Sequence, residues 1–362
     1  MDTPAPDILF ITRKWAPAVG GMETWSHRLS DSLSERAAVE VVALPGRPGG
    51  LPPTVPALLA FPLIALRRYL ARDAAPDVLH IGDMALWPLG LLACLRRGSP
   101  AIVLTAHGTD VSYARRPGWR GRAYRAYQRL GARLLRRAHV TANSPATAAA
   151  AAEAGWRQVT VIPLATDLTG HVPDQPPQPH ILFAGRLIPL KGCGWFIRSV
   201  LPLLPDGVTL KVAGTLLDPA EAAALDHPRV EYLGVLDQAA LSAEYPRAAC
   251  VVVPNIVPSN RTFEGFGLVA VEAAAAGGVT LAANCGGIPA AVIDGTTGIL
   301  VESGDAAAWA EAIGAVLAWP LPRREAFLAG SLAAVESAFR WPRVAEATLA
   351  VYEQTRNDPS GL

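Results

Sequence analysis

The chain has 362 residues, 51% of them apolar, and a formal net charge of +1. That length favours two domains over one, and that apolar content excludes a disordered polymer. Four cysteines, Cys94, Cys193, Cys250 and Cys285, show no paired spacing, so they read as small buried residues of a reducing compartment and no metal site follows.

The charge is unevenly placed. Residues 1–175 hold 20 Lys and Arg against 13 Asp and Glu, whereas residues 176–362 hold 12 against 18, which points the first half toward something anionic. Met1–Ile11 has acidic residues and only a short apolar run, and Leu58–Leu66 is interrupted by Pro62 and stopped by Arg67 and Arg68. Neither a signal peptide nor a membrane span is expected, and the protein is expected in the cytoplasm.

In chain order, Asp7–Ile11 reads as a buried strand, followed by the turn Pro17–Gly21 and a helix over Met22–Leu33. Ala38–Leu44 is a strand and Pro45–Pro56 a loop rich in Pro and Gly. A helix over Ala57–Ala71, the strand Asp77–Ile81, a helix near Leu86–Leu95 and the strand Ala101–Ala106 come next. A helix over Gly121–Arg137, the strand His139–Ala142, a helix capped by Asn143 and Ser144, and the strand Val159–Pro163 complete the series. Thr169–Pro179 holds four prolines and reads as a linker. A second series follows: strands at His180–Ala184, Thr209–Ala213, Val230–Leu233, Cys250–Pro254, Val279–Ala283 and Gly298–Val301, with helices at Gly194–Leu204, Leu236–Tyr245 and Asp305–Ala318 and a helix that starts within Glu264–Glu272 and runs into the alanines 273–276. Such alternation implies α/β architecture, two Rossmann-like domains whose parallel sheets face across an interdomain cleft. The boundaries read as 1–168, a linker at 169–179, and 180–342, with a terminal helix, Arg343–Glu353, packing back onto the first domain.

Four stretches carry chemistry. Glu264–Glu272, E-G-F-G-L-V-A-V-E, turns from a strand into a helix. The amides of Phe266, Gly267 and Leu268 at a helix start suit a phosphate, and two carboxylates set along that turn can accept from hydroxyls at opposite ends of a ligand. Gly185–Gly192 places Arg186 and Lys191 on a glycine-framed turn, Arg binding phosphate oxygens bidentately and Lys adding a point charge. Lysine is scarce in this chain, present only at Lys14, Lys191 and Lys211. Gly20 and Gly21 offer a second backbone approach, and His107, at a strand end beside Gly108 and Asp110, is placed to bond a hydroxyl. A bare turn and a structural histidine are the plainer readings of these last two. From Arg115 to Arg137 there are nine arginines and no acidic residue, interleaved with Trp119, Tyr124 and Tyr127. A solvated helix and an anionic membrane surface both fit that stretch, and no nucleic-acid partner is expected.

These stretches, with A-N-S at 142–144, G-G-I-P at 286–289 and D-G-T-T-G-I-L-V at 294–301, resemble the retaining glycosyltransferases of the GT-B fold, in particular family 4, over nearly the whole chain. The resemblance implies a nucleotide-diphosphate sugar (UDP or GDP) held mostly by the second domain and an acceptor held by the first. It places Glu264 on donor-sugar hydroxyls, Glu272 on the ribose, Arg186 and Lys191 on the diphosphate, and Phe266–Leu268 at the phosphates. His107 falls at the sugar, and Gly20 and Gly21 fall where a loop closes over the donor. No metal and no cofactor are implied, because the cations and the helix dipole neutralise the leaving group. Many relatives carry a glutamate after G-G-I-P where this chain has Ala290 and Ala291. The expected function is transfer of a hexose to a glycan or lipid-linked acceptor in cell-surface polysaccharide or glycolipid assembly, peripheral to the inner membrane face. Two alternatives remain: a soluble sugar-phosphate or metabolite acceptor, and a non-catalytic nucleotide-sugar-binding partner protein.

Overall fold

A computed structural model describes residues 5–18, 20–96, 98, 100–258 and 261–357. Val19, in the predicted Pro17–Gly21 turn, lies outside the described residues. The chain divides into two compact units at Pro163/Leu164 and again at Arg340/Trp341.

The first unit begins with β1 (Asp7–Trp15), α1 (Gly21–Ser34), β2 (Ala38–Pro45) and α2 (Val55–Leu70). Ile8, Leu9, Phe10 and Ile11 are all buried, as a central parallel strand covered on both faces requires. Helix α2 starts earlier than its sequence indicates, because the Thr54 hydroxyl accepts from the Ala57 amide and Pro56 stands in the first turn, where its missing N–H costs nothing. After β3 (Val78–Ile81), the segment Met84–Leu95 winds as a 3-10 helix. Pro88 in its interior withholds an amide. The strand β4 (Ala101–Ala106) is followed by the single turn α3 (Thr109–Ser112), α4 (Trp119–Leu134), β5 (His139–Ala142), α5 (Pro145–Glu153) and β6 (Gln158–Val161). Ser144 caps α5 by accepting from the Thr147 amide. The sheet runs β2-β1-β3-β4-β5-β6, and every pair is parallel.

The second unit contains β7 (Gln178–Ala184), α6 (Cys193–Trp195), β8 (Thr209–Ala213), α7 (Pro219–Ala224), β9 (Val230–Gly234), α8 (Gln238–Glu244) and β10 (Ala248–Val253). Next come α9 (Leu268–Ala275), β11 (Thr280–Ala283), β12 (Ile299–Val301), α10 (Ala306–Leu317) and α11 (Leu321–Ala338). Its sheet is also six-stranded and parallel, in the order β12-β11-β10-β7-β8-β9. The helix expected over Gly194–Leu204 is broken into α6, a π-helical turn at Phe196–Val200 and a 3-10 turn at Leu201–Leu203, where Pro202 cannot donate. The proline-rich stretch 169–179 lies within this unit; Gly170 packs against the backbone of Ala276 and β7 already begins at Gln178. The last helix, α12 (Trp341–Arg356), belongs to the first unit, where the Tyr352 hydroxyl lies 2.6 Å from Nδ1 of the buried His80 on β3.

Each sheet has one switch point, where successive connections leave in opposite directions: between β1 and β3 in the first unit, and between β7 and β10 in the second. In open parallel sheets ligands bind beyond the strand ends at such points.

Candidate functional site

The second unit gathers its polar residues at its switch point. The loop after β7 carries Arg186 and Lys191; the loop after β10 carries Asn255 and Glu264. The two loops are tied by the Ile256 amide, which donates to the Leu190 carbonyl at 3.1 Å. They touch at Gly192, whose φ is +72° and where a Cβ would stand 1.9 Å from the Pro254 carbonyl oxygen, so only glycine fits. Lys191 Nζ lies 2.7 Å from Glu264 Oε2, and Asn255 Nδ2 donates to the same oxygen at 3.4 Å. Burial alone would raise the Glu264 pKa; the Lys191 charge and hydrogen bond, with Arg186 and Asn255, outweigh it and hold the carboxyl below its ordinary value.

The support for Glu264 comes from its backbone. Its carbonyl accepts from the Gly287 amide at 2.8 Å, so the G-G-I-P stretch acts as a prop for the carboxylate loop. The Asn255 carbonyl accepts from Ser303 Oγ at 2.8 Å, which fixes the other side. Beyond Glu264, Gly267 adopts a φ of +97° and opens α9. The first amides of that helix have no partner within it, and they stand where the sequence places a phosphate. Phe266 is buried, with its ring 6.4 Å from that of Phe339. Glu272 is one turn further along and half-buried. Burial raises its pKa against the opposing influence of Gln238, Lys191 and Tyr245. Arg186 is exposed and has no side-chain hydrogen bond or ion pair among the described residues.

The structure thus brings Lys191 and Glu264 into direct contact, where the sequence reading gave them separate partners. Ion pairing alone does not distinguish Lys191, since Lys14 reaches Glu23 at 3.3 Å and Lys211 reaches Glu244 at 3.4 Å. Its distinction is its place at the switch point, beside a buried asparagine and a helix start.

In the first unit the ends of β1, β3 and β4 hold a second polar group. Arg13 Nε donates to the fully buried Asp83 at 2.7 Å, and Asp83 also accepts from the Ala85 amide. The His107 ring is buried against Trp25, centroids 4.5 Å apart, and its Nε2 donates to the Gly82 carbonyl at 2.9 Å. Asp110 accepts from the His107 amide at 2.9 Å, and its pKa is raised by burial and by Asp83, against His107. Gly20 precedes α1 with extended backbone and Gly21 is its first residue. Arg13, Asp83 and Asn255 were not singled out in the sequence; the signal for all three is a polar side chain just past an apolar strand end. Cys94 is exposed and Cys285 half-buried, so only Cys193 and Cys250 are the buried residues expected of all four. Among the described residues, no group of three or more His, Cys, Asp or Glu is placed to hold a metal.

Residues 19–169 match the family described as Glycosyltransferase Family 4, and residues 178–318 match Glycosyl transferases group 1. The chain thus resembles family 4 glycosyltransferases over its first part and group 1 glycosyl transferases over its second. A D-inositol 3-phosphate glycosyltransferase of Xylanimonas cellulosilytica is 39% identical over 198 residues, covering 50% of this chain and 44% of that protein. The chain therefore spans less than half the length of that relative. Among solved structures, Anabaena HepE in complex with UDP and glucose aligns with a TM-score of 0.72 at 19% identity, covering 96% of this chain and 99% of that one. Sucrose-phosphate synthase from Thermosynechococcus elongatus aligns with a TM-score of 0.73 at 21% identity, covering 96% and 98%. These likenesses establish the GT-B fold for the two parallel sheets described above.

Proposed function

We propose that the chain is a retaining, metal-independent hexosyltransferase that uses a nucleoside-diphosphate sugar and a soluble phosphorylated polyol or sugar as acceptor. The observation that carries this reading is the convergence of Lys191, Glu264 and the α9 N-terminus at one switch point, with Arg186 on the adjoining loop. Arg186, Lys191 and the helix amides would hold the diphosphate, Glu264 the sugar hydroxyls and Glu272 the ribose. In the transfer, the bond from the anomeric carbon to the phosphate oxygen breaks with its electron pair going to the diphosphate. The acceptor oxygen bonds to the same carbon, and its proton passes to the departing phosphate. Cations and oriented amides stabilise the charge on that leaving group. UDP-glucose is the first donor to test, in line with the ligands of the Anabaena neighbour, and the phosphorylated acceptor follows the name borne by the curated relatives. A lipid-linked acceptor is the second reading, favoured by helix α4, which carries arginines and no acidic residue.

The test is release of nucleoside diphosphate by the full chain from UDP- and GDP-sugars, with inositol phosphates and hexose phosphates as acceptors and with EDTA present. Acceptor-dependent release that survives EDTA, with the anomeric configuration retained in the product, is expected. Replacing Lys191 by Ala should cut kcat/KM on the order of a hundredfold or more while leaving circular dichroism unchanged. Donor binding without turnover for any donor and acceptor pair would instead establish a non-catalytic binding protein.

A further inference from the structure

We propose that the outer face formed by α2 and α4 docks the first unit on an anionic lipid bilayer. Helix α2 presents a stripe of aliphatic side chains to solvent: Val55 is 68% exposed, Leu59 75% and Leu63 63%. Their spacing of four residues places them on one side of the helix, while Phe61, Ala65 and Tyr69 fill the core beneath. A soluble surface has no use for such a stripe, and contiguous exposed apolar surface marks an interaction face. No acidic residue occurs from Val41 to Arg72, and exposed Arg67 and Arg68 stand at the end of the stripe.

Helix α4 supplies the charge. Arg122, Arg129 and Arg133 are exposed and form no ion pair among the described residues, while Trp119 is 68% exposed and Leu130 and Leu134 are also open to solvent. The two helices flank the 3-10 helix Met84–Leu95. Arg96 Nη2, just past its end, donates to the Leu70 carbonyl of α2 at 2.7 Å, and Tyr127 of α4 donates to the Ala85 carbonyl at 2.7 Å. The connections through α2, the 3-10 helix and α4 all step the same way along the sheet, so right-handed crossovers place all three on one face. Aliphatic and aromatic side chains that insert shallowly, on two helices that carry arginines and no carboxylate, match an interface of acyl chains and anionic headgroups. Nucleic acid would use the arginines and leave the aliphatic stripe in water. The proposal does not rest on the transferase reading, because Arg186, Lys191 and Glu264 lie in the other unit.

Co-sedimentation of the full chain with vesicles of phosphatidylcholine, with and without phosphatidylglycerol, tests it. Binding is expected only with phosphatidylglycerol and should weaken as salt rises. The triple variant Arg122→Gln/Arg129→Gln/Arg133→Gln should bind more weakly by on the order of a hundredfold. The double variant Leu59→Ser/Leu63→Ser should lose at least tenfold. All five positions are exposed, so both variants keep the fold, which circular dichroism checks. No sedimentation with anionic vesicles at low salt overturns the proposal, as does binding that either variant leaves unchanged. A lipid-free dimer abolished by Leu59→Ser/Leu63→Ser also overturns it, by showing that a second copy covers this face.

Discussion

Glu272 is a carboxyl whose buried surroundings favour its protonated form. If it accepts hydrogen bonds from ribose hydroxyls, it does so as the anion, which offers acceptors only; a proton converts one oxygen into a donor. Because its pKa is raised, that loss begins at a higher pH than for an ordinary glutamate. The KM for the donor should therefore rise on the acid side while kcat changes little. Glu272→Gln carries no such proton, so its KM should be higher by roughly tenfold, the worth of a hydrogen bond to a charged group, and flat with pH across the same range. An acid-side rise in KM that persists in Glu272→Gln would remove Glu272 from this role. Glu264 behaves in the opposite sense, since Lys191 and Arg186 overcome its burial and keep it ionised further into acid. The two glutamates of one motif are thus tuned apart: at Glu264 Lys191 and its companions outweigh burial, and at Glu272 burial outweighs Gln238, Lys191 and Tyr245.

At the scale of elements, the loops after β7 and β10 are the parts that hold the site in shape, and Gly192 is their closest contact. Gly192→Ala adds a Cβ 1.9 Å from the Pro254 carbonyl oxygen at a backbone φ of +72°, so the loops must part. The expected cost is roughly 2 kcal/mol or more, from strain and from the displaced contact together. The measurement is chemical unfolding of the variant, paired with donor KM. A variant as stable as the parent with unchanged KM would show that these loops do not need their observed spacing. Much of this geometry was legible beforehand. Ala101–Ala106, His139–Ala142 and Thr209–Ala213 fall on the predicted residues, because short, mostly apolar runs of strand length between helices leave little freedom for a buried parallel strand. Helix α11 has no counterpart among the elements expected from the sequence, although Pro322 suits the first turn of a helix. The carboxylates and cations of the site were legible as residue types. The Lys191–Glu264 contact was not, since it depends on two loops 73 positions apart in sequence meeting where β7 pairs with β10. The same holds for Arg13 and Asp83, 70 positions apart, on β1 and just past β3, strands that are neighbours only in the folded sheet.

At the scale of the molecule, the first unit is closed by a helix from the far end of the chain. Tyr352 on α12 meets His80 on β3, whose Nε2 lies 2.8 Å from Thr105 Oγ1; that hydroxyl is 2.8 Å from Thr141 Oγ1 on β5. A buried relay of this kind has an all-neutral imidazole at its centre, and burial, with His107 nearby, lowers the His80 pKa to about 3. In the unfolded chain the same imidazole takes up a proton near pH 6.5, so below that value the unfolded state binds a proton that the folded state refuses. Stability is therefore full above about pH 6.5 and falls as pH drops toward the folded value of about 3, at up to roughly 1.4 kcal/mol per pH unit from this one group. Urea unfolding followed by tryptophan fluorescence from about pH 7 to about pH 4.5 should show that acid limb, with Trp25 and Trp87 reporting on the first unit. His80→Gln should be less stable than the parent at neutral pH, having lost a packed ring and its bonds, yet show a shallower acid slope. Tyr352→Phe should be weaker by about 1–2 kcal/mol at every pH and keep the slope, because it removes a partner without removing the titrating group. If His80→Gln keeps the parent's full acid slope, the acid sensitivity of the first unit arises elsewhere and the relay's role is confined to packing.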